Sequence, residues 1–353
     1  MARIACFTSF TYAYLARARV LAESIRRLHP DWVLWALVTD RPPDNLPPDA
    51  LAAFDHVQNA AALGIADFPG WLFKHDLVEA CTAVKATMLR RLLEQGAEKV
   101  IYLDPDIAAF APLDLLTDRL DAASIVLTPH QVTPDTTQEG ARDNEGGSMR
   151  YGIYNLGFVG VRNDQTGRAF AAWWEERLLA ACYDAPEAGI FTDQKYCDLV
   201  PGLFPGVHIE RDPGCNVASW NIAQRPIRVT RAGELTADGR LLRFYHFTKI
   251  APEGASSAGD TMTARYAGDN SEIFEIVAWY KRAIAAAALP GLNSHPWHYG
   301  TFADATPIPR AARLLWRARP DLVRAFADPF DPAQLRAWLA AHDPDVLGIA
   351  PAT

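Results

Sequence analysis

The chain has 353 residues, half of them hydrophobic, enough for a large buried core in one domain with an appendage or in two domains. Its 34 basic side chains are outnumbered by 42 acidic ones, a formal net charge of −8, which excludes a nonspecific nucleic-acid binder because that needs a basic surface. The five cysteines (Cys6, Cys81, Cys182, Cys197, Cys215) are odd in number and far apart, and no apolar run approaches the roughly 18 residues that span a bilayer.

From the N-terminus, Arg3-Ile4-Ala5-Cys6-Phe7-Thr8 reads as a strand closed by the hydroxyls of Thr8-Ser9, with no apolar leader before it. The expected location is therefore cytoplasmic, with peripheral attachment at the inner membrane face left open. Leu15, Ala18, Ala22, Ile25 and Leu28 mark an amphipathic helix, and Val33–Val38 supplies the next strand. Together they predict a parallel, right-handed βαβ unit with Thr8, Ser9 and Tyr12 at its ligand edge. Helix capping is the competing role for Ser9 and Thr11. After loop and small helices over 47–73, one helix is expected over 77–95, ending at Gly96, with Leu77, Cys81, Val84, Met88, Leu89 and Leu92 on its apolar face. Lys85 interrupts that stripe. It either snorkels along its apolar stem to solvent or faces an anion.

Val100-Ile101-Tyr102-Leu103-Asp104-Pro105-Asp106 is an apolar strand running into two carboxylates. Ligands gather at the C-terminal ends of strands in open α/β sheets. If the backbone stays extended through Pro105, Asp104 and Asp106 point to one side, within reach of a shared hard cation. An ordinary Asp-Pro turn is the alternative. Residues 125–128 form another strand, and the polar, Gly-rich stretch 133–150 is too long for a plain connection and is expected to be a lid over a bound donor. A glycine-bearing strand over 151–161 and a helix over 166–181 with Phe170, Trp173, Trp174 and Leu178 follow. Thr192-Asp193-Gln194 reads as a helix start, with capping as its plain role. Cys215 to Asn221 mixes polar and aromatic residues, and 241–248 is a strand delivering His246 among aromatics, where a satisfied core histidine is the usual case. Helices at about 271–288, 311–319 and 332–342 then suggest domains of 1–250 and 251–353, the second a helical extension.

Taken in this order, several fragments over roughly 3–249 resemble the metal-dependent GT-A glycosyltransferases, most closely their retaining family 8. They are Arg3 to Ser9 with Tyr12, Ala83-Val84-Lys85, Tyr102-Leu103-Asp104-Pro105-Asp106, Tyr154-Asn155-Leu156-Gly157, Thr192-Asp193-Gln194 and Tyr245-His246-Phe247-Thr248. The resemblance implies an α/β, Rossmann-like nucleotide-sugar-binding domain with a mixed, mostly parallel sheet and a C-terminal helical extension. It also implies transfer of a sugar from a nucleotide diphosphate donor, a UDP-sugar, to a hydroxyl of a glycan or lipid-linked glycan, with retention. By the same resemblance Asp104, Asp106 and His246 hold Mn²⁺ or Mg²⁺, and Lys85 and Lys249 add charge at the phosphates. Thr8, Ser9 and Tyr12 touch the nucleoside, Asn155, Asp193 and Gln194 hold the sugar, and Gln194 lies nearest the face opposite the leaving group.

Two departures stand out. Lys249 follows Thr248 directly, with no Gly-X-X-Lys-Pro-Trp, and Thr8-Ser9 stands where relatives often carry an acid. Residues 297–304 and 328–330 resemble C-terminal tails of bacterial glycosyltransferases of surface-polysaccharide assembly. Three other readings compete: an inverting transferase with Asp193 as base, a non-catalytic nucleotide-sugar or glycan binder, and a phosphatase with Asp104 as nucleophile. The last expects its Asp-X-Asp at the end of the first strand, followed by Thr or Val, whereas here Ile107-Ala108 follow.

Overall fold

In the computed structural model, which describes residues 4–252, 255 and 257–348, the chain starts in the middle of its main sheet. Arg3 of the expected opening strand lies outside the described residues. Strand β1 (Ile4–Phe10) sends Ala5 and Phe7 into one core and Cys6 into another, the alternation that a pleated strand imposes. Helix α1 (Leu15–Leu28) carries the chain back, and β2 (Val33–Val38) returns parallel to β1 with Ser9 opposite Leu37. This is the expected βαβ unit. A short edge strand, β3 (His56–Asn59), pairs parallel with β2. Its four residues are too few and too polar to stand out from the loop expected there.

On the other side of β1 lies β4 (Lys99–Leu103), also parallel. The chain continues into β5 (Ile107–Ala109), which leaves the main sheet, then β6 (Ile125–Pro129) and β7 (Tyr154–Arg162). The seven-stranded sheet has the order Val207–Ile209, β6, β7, β4, β1, β2, β3. Only β7 runs against its neighbours, so the sheet is mixed and mostly parallel.

The helix expected over 77–95 is two helices, Leu77–Ala83 and Lys85–Glu94, meeting at Val84. Thr82 Oγ1 donates to the carbonyls of Val78 and Glu79, each at 3.0 Å, and such back-bonding bends helices. Lys85 therefore opens the second helix instead of interrupting one long stripe. The stretch 133–150 is largely helical rather than loop, with turns at Gln138–Gly140, Ala141–Glu145 and Gly146–Tyr151. Tyr266 OH donates to Asp143 Oδ2 at 2.9 Å, and Arg265 pairs with Glu139 and Asp143, tying this stretch to the helix Ala258–Tyr266.

Helix Glu272–Ala287 buries Ile273, Ile276 and Tyr280 in a core with Ala16 and Val20 of α1. Helix Arg310–Ala318 lays Arg313 on the carbonyls of Phe73 and His75, and Trp316 Nε1 donates to Gly70 O at 2.8 Å. Trp297 Nε1 reaches Thr39 O at the end of β2, also at 2.8 Å. The segment after residue 257 thus shares cores and hydrogen bonds with the sheet domain. Among the described residues no helix is long and apolar enough to cross a membrane, and all five cysteines are free thiols.

Candidate active site

The two acids leave β4 through a turn. Asp104 N–H donates to Gly157 O at 2.8 Å, and Ile107 N–H donates back to Asp104 O at 3.1 Å. The backbone is therefore not extended through Pro105 as expected, yet both carboxylates face the same partner. That partner comes with the strand Phe244–His246, which pairs antiparallel with β5 and sets His246 opposite Ile107. Phe247 N–H closes the arrangement on Asp106 O at 2.8 Å. His246 Nε2 lies 3.1 Å from Asp106 Oδ1 and 3.6 Å from Asp104 Oδ2. One ligand atom from each of the three residues falls within a 4.8 Å cluster.

The donor set fits a hard divalent cation. Two carboxylates and an imidazole, with one ligand atom each inside a 4.8 Å cluster, would hold such a cation through oxygen and nitrogen donors of the kind Mn²⁺ and Mg²⁺ accept. Burial raises the Asp106 carboxyl, and the charge and hydrogen bond of His246 together with the Arg17 charge and a backbone hydrogen bond more than offset this, leaving it below its ordinary value. Burial pulls His246 down, and the charges of Asp106 and Asp104 reverse that, leaving it raised. The cluster thus attracts positive charge.

Lys85, 3% exposed, stands beside it. Its Nζ lies 3.1 Å from Asp104 Oδ1, 2.9 Å from Asp193 Oδ2 and 3.2 Å from Leu156 O, over the ring of Tyr102 at 4.2 Å. Burial lowers the ammonium, and Asp104 and Asp193 more than reverse it, so Lys85 stays charged. Snorkelling to solvent is thereby replaced by a buried ion-pair bridge. Tyr102 OH also donates to Asp104 Oδ1. Tyr102 and Asp104 share one face of the chain, a spacing of two that was visible in the sequence.

These groups line a cavity of about 320 Å³. Ser9, Lys85, Asp104, Asp106, Asn155, Asp193, Gln194, His246 and Lys249 all contribute to its wall. Thr8 and Tyr12 do not. Thr8 points to the opposite side of β1, into a small hollow with Cys6, Leu21 and Ala22, because adjacent strand residues face opposite ways. Tyr12 is buried in a core with Phe10 and Leu15, and Thr11 and Tyr14 line the cavity in its place. Ser9 Oγ donates to Cys81 O at 2.8 Å, which braces β1 against the helix Leu77–Ala83 rather than capping α1.

At the other end, Asp193 and Gln194 lead, as expected, into a helical turn: the 3₁₀ helix Lys195–Leu199 begins directly after Gln194, which stands at its N-cap position. Thr192 has φ of +43°, a strained setting for a β-branched residue, and its hydroxyl donates to Asp193 Oδ1. Burial raises the Asp193 carboxyl against the pull of Lys85. Gln194 Oε1 accepts Leu156 N–H at 3.2 Å, while Nε2 donates to Tyr151 O at 3.0 Å. Lys249 also holds a positive φ, +55°, in a turn whose Ile250 carbonyl accepts from Arg17. Sequence reasoning assigned no role to Trp220, which stands edge-on to His246 with ring centres 5.4 Å apart, or to Asn216 and His130 beside Asn155.

No protein-family model matches the chain. It is 30% identical over 175 residues to the uncharacterized protein YfnF of Bacillus subtilis (strain 168), covering 49% of this chain and 57% of that one. It is 27% identical over 174 residues to the uncharacterized protein YfnD of the same organism, covering 48% and 53%. The chain thus matches a little over half the length of these curated relatives. Among solved structures it is similar to the galactosyltransferase LgtC in complex with donor and acceptor sugar analogs, at a TM-score of 0.46 and 17% identity over 78% of this chain and 99% of that one. It is also similar to mouse xyloside xylosyltransferase 1, at 0.44 and 17% over 71% and 98%.

Proposed function

We propose that this chain is a metal-dependent glycosyltransferase of the GT-A type, moving a sugar from a nucleotide diphosphate donor, a UDP-sugar, to a hydroxyl of a glycan or lipid-linked glycan, with retention. The observation that carries this reading is the convergence of Asp104, Asp106 and His246 within 4.8 Å, next to the buried Lys85 ammonium, at the C-terminal edge of β1 and β4. Mn²⁺ or Mg²⁺ bound there supplies charge neutralisation for a departing diphosphate. Asp104, Asp106 and His246 are its holders. Lys85 and Lys249, both in the cavity wall, contribute preorganised positive charge, which costs no reorganisation during reaction.

Ser9 and Thr11 meet the nucleoside at the β1 end, and Asp193 and Gln194 face the sugar. The tie of Asp193 to Lys85 at 2.9 Å and to the Thr192 hydroxyl supports an anchoring role over that of a general base for inversion. The Gln194 amide is a poor nucleophile, which supports a same-face, ion-pair-like route over a covalent glycosyl-enzyme. A panel of nucleotide sugars with Mn²⁺, scored for slow donor hydrolysis, tests the reading without an acceptor. Asp104→Ala and Asp106→Ala are expected to lose hydrolysis and keep the fold. Full metal-dependent turnover in both variants overturns it, and UDP binding indifferent to Mn²⁺ favours a non-catalytic binder.

A further inference from the structure

We propose that Asn155 and Asn216 are positioning residues that fix the tautomer of His246, so that its Nε2 meets the cation as a bare lone pair; this rests on the metal-dependent reading above. The deduction starts from two backbone groups whose roles are unambiguous. Gly157 N–H only donates, and its acceptor at 3.1 Å is Asn155 Oδ1. Ile153 O only accepts, and it lies 3.2 Å from His130 Nδ1, so that nitrogen carries the hydrogen and His130 Nε2 accepts from Asn155 Nδ2 at 3.2 Å. Burial holds His130 down at about 4, so the ring is neutral and has a lone pair to offer. Both ends of the Asn155 amide are thereby assigned from the network.

His246 Nδ1 lies 3.1 Å from Asn155 Oδ1. Facing an oxygen already fixed as an acceptor, Nδ1 must carry a hydrogen, so the proton that a cation displaces is the one on Nε2, which faces Asp106 Oδ1 at 3.1 Å. The other tautomer would set two lone pairs face to face and place a hydrogen where the cation binds. Ligand histidines are generally oriented by a partner on their second nitrogen in this way. Here the partner is an amide rather than a carboxylate, so it orients the ring without adding a charge beside the two acids.

Asn216 holds Asn155 in turn. Its Nδ2 donates to Asn155 Oδ1 at 3.0 Å and to Thr128 Oγ1 at 2.9 Å. It is 1% exposed and absent from the cavity wall, so it acts on the site only through other residues. Its φ of +55° lies in the left-handed region that Asn tolerates better than most side chains. Buried Arg225 donates to Cys215 O at 2.7 Å, and Asn221 Nδ2 donates to Asn216 O at 3.1 Å, which together hold that backbone in place.

The test titrates Mn²⁺ alone into the full chain, with free ion followed by electron paramagnetic resonance and folding checked by circular dichroism. Asn155→Ala is expected to bind Mn²⁺ about 10- to 100-fold more weakly than wild type. Asn155→Asp, which keeps the acceptor oxygen, is expected to recover most of that loss. Asn216→Gly, which suits the positive φ, is expected to show a smaller loss in the same direction. Wild-type affinity in Asn155→Ala, with binding abolished in His246→Ala, overturns the relay and leaves the metal site standing. Binding indifferent to His246→Ala, or none in wild type, overturns the metal reading itself. In that event ¹⁵N resonances of His246 in the metal-free protein at alkaline pH still decide the relay: a hydrogen on Nδ1 supports it, and a hydrogen on Nε2 overturns it.

Discussion

Lys85 Nζ lies 2.9 Å from Asp193 Oδ2, with both side chains only 3% exposed. Removing one member of a buried pair leaves an uncompensated charge, at a cost of about 3–5 kcal/mol. Lys85→Met is therefore expected to lose stability on that scale in urea denaturation at neutral pH. Lys85→Met combined with Asp193→Asn is expected to regain part of it, since the more deeply buried of the two carboxylates left without the lysine is then neutral, while Asp104 is partly exposed and keeps His246 at 3.6 Å.

Gly157 is where the backbone of β7 passes closest to the cluster. A Cβ there would stand 2.5 Å from His246 Cε1, 2.6 Å from its Nδ1 and 2.7 Å from Asn155 Oδ1. Gly157→Ala is expected to cost about 1–3 kcal/mol through overpacking and to weaken Mn²⁺ binding by displacing the ring. Thermal melting and a Mn²⁺ titration on the same sample check both effects.

Asp40, at the end of β2, carries a pH dependence of its own. Its Oδ1 accepts N–H groups from Arg41 at 2.9 Å and His298 at 3.0 Å, while Oδ2 is buried without a partner. Burial pushes the carboxyl from 3.8 up to about 6, against the pull of the His298, Arg41 and Tyr12 backbone and of the His295 charge. An acid raised in this way holds its proton more tightly folded than unfolded. Its contribution to stability is therefore fully present below 3.8 and falls as pH rises, until it is lost above about 6. The span corresponds to about 3 kcal/mol. Asp40→Asn keeps an acceptor oxygen and removes the titration, so its stability relative to wild type is expected to grow between about pH 4 and pH 7 in urea melts.

The helical stretch after β6 is pinned from outside the sheet domain, by Arg265 and Tyr266 on Glu139 and Asp143. These are exposed charges, so the tie weakens with salt. Arg265→Ala is expected to leave global stability nearly unchanged while speeding amide exchange over 138–151, with high salt producing the same pattern in wild type. Hydrogen-exchange mass spectrometry distinguishes this from an unchanged or globally loosened protein.

Much of the candidate site was legible along the chain. Asp104 and Asp106 closing an apolar strand, and Lys85 opposing them from the preceding helix, are local patterns of chemistry and spacing. Thr8 and Tyr12 show where that reading fails. Each sits in the expected stretch, but strand alternation and a packed core turn them away from the cavity. The break at Val84 and the left-handed Thr192 were equally hidden, since both depend on side-chain hydrogen bonds or strain that neighbours sustain.

The Asp104-Pro105-Asp106 doublet, the βαβ start and the identity of the charged groups were determined by sequence alone, because apolar periodicity and side-chain chemistry are properties of short segments. Only the tertiary structure decided that a turn presents the acids, and how His246, which the resemblance already named as their companion, reaches them. It also brings Asn155 Oδ1 to 3.1 Å from His246 Nδ1, with Asn216 donating to the same oxygen at 3.0 Å. The reason is physical: His246 reaches Asp106 through the register of β5 against the strand Phe244–His246. Such a pairing is settled by packing between segments far apart in the chain, which leaves no mark in either segment by itself.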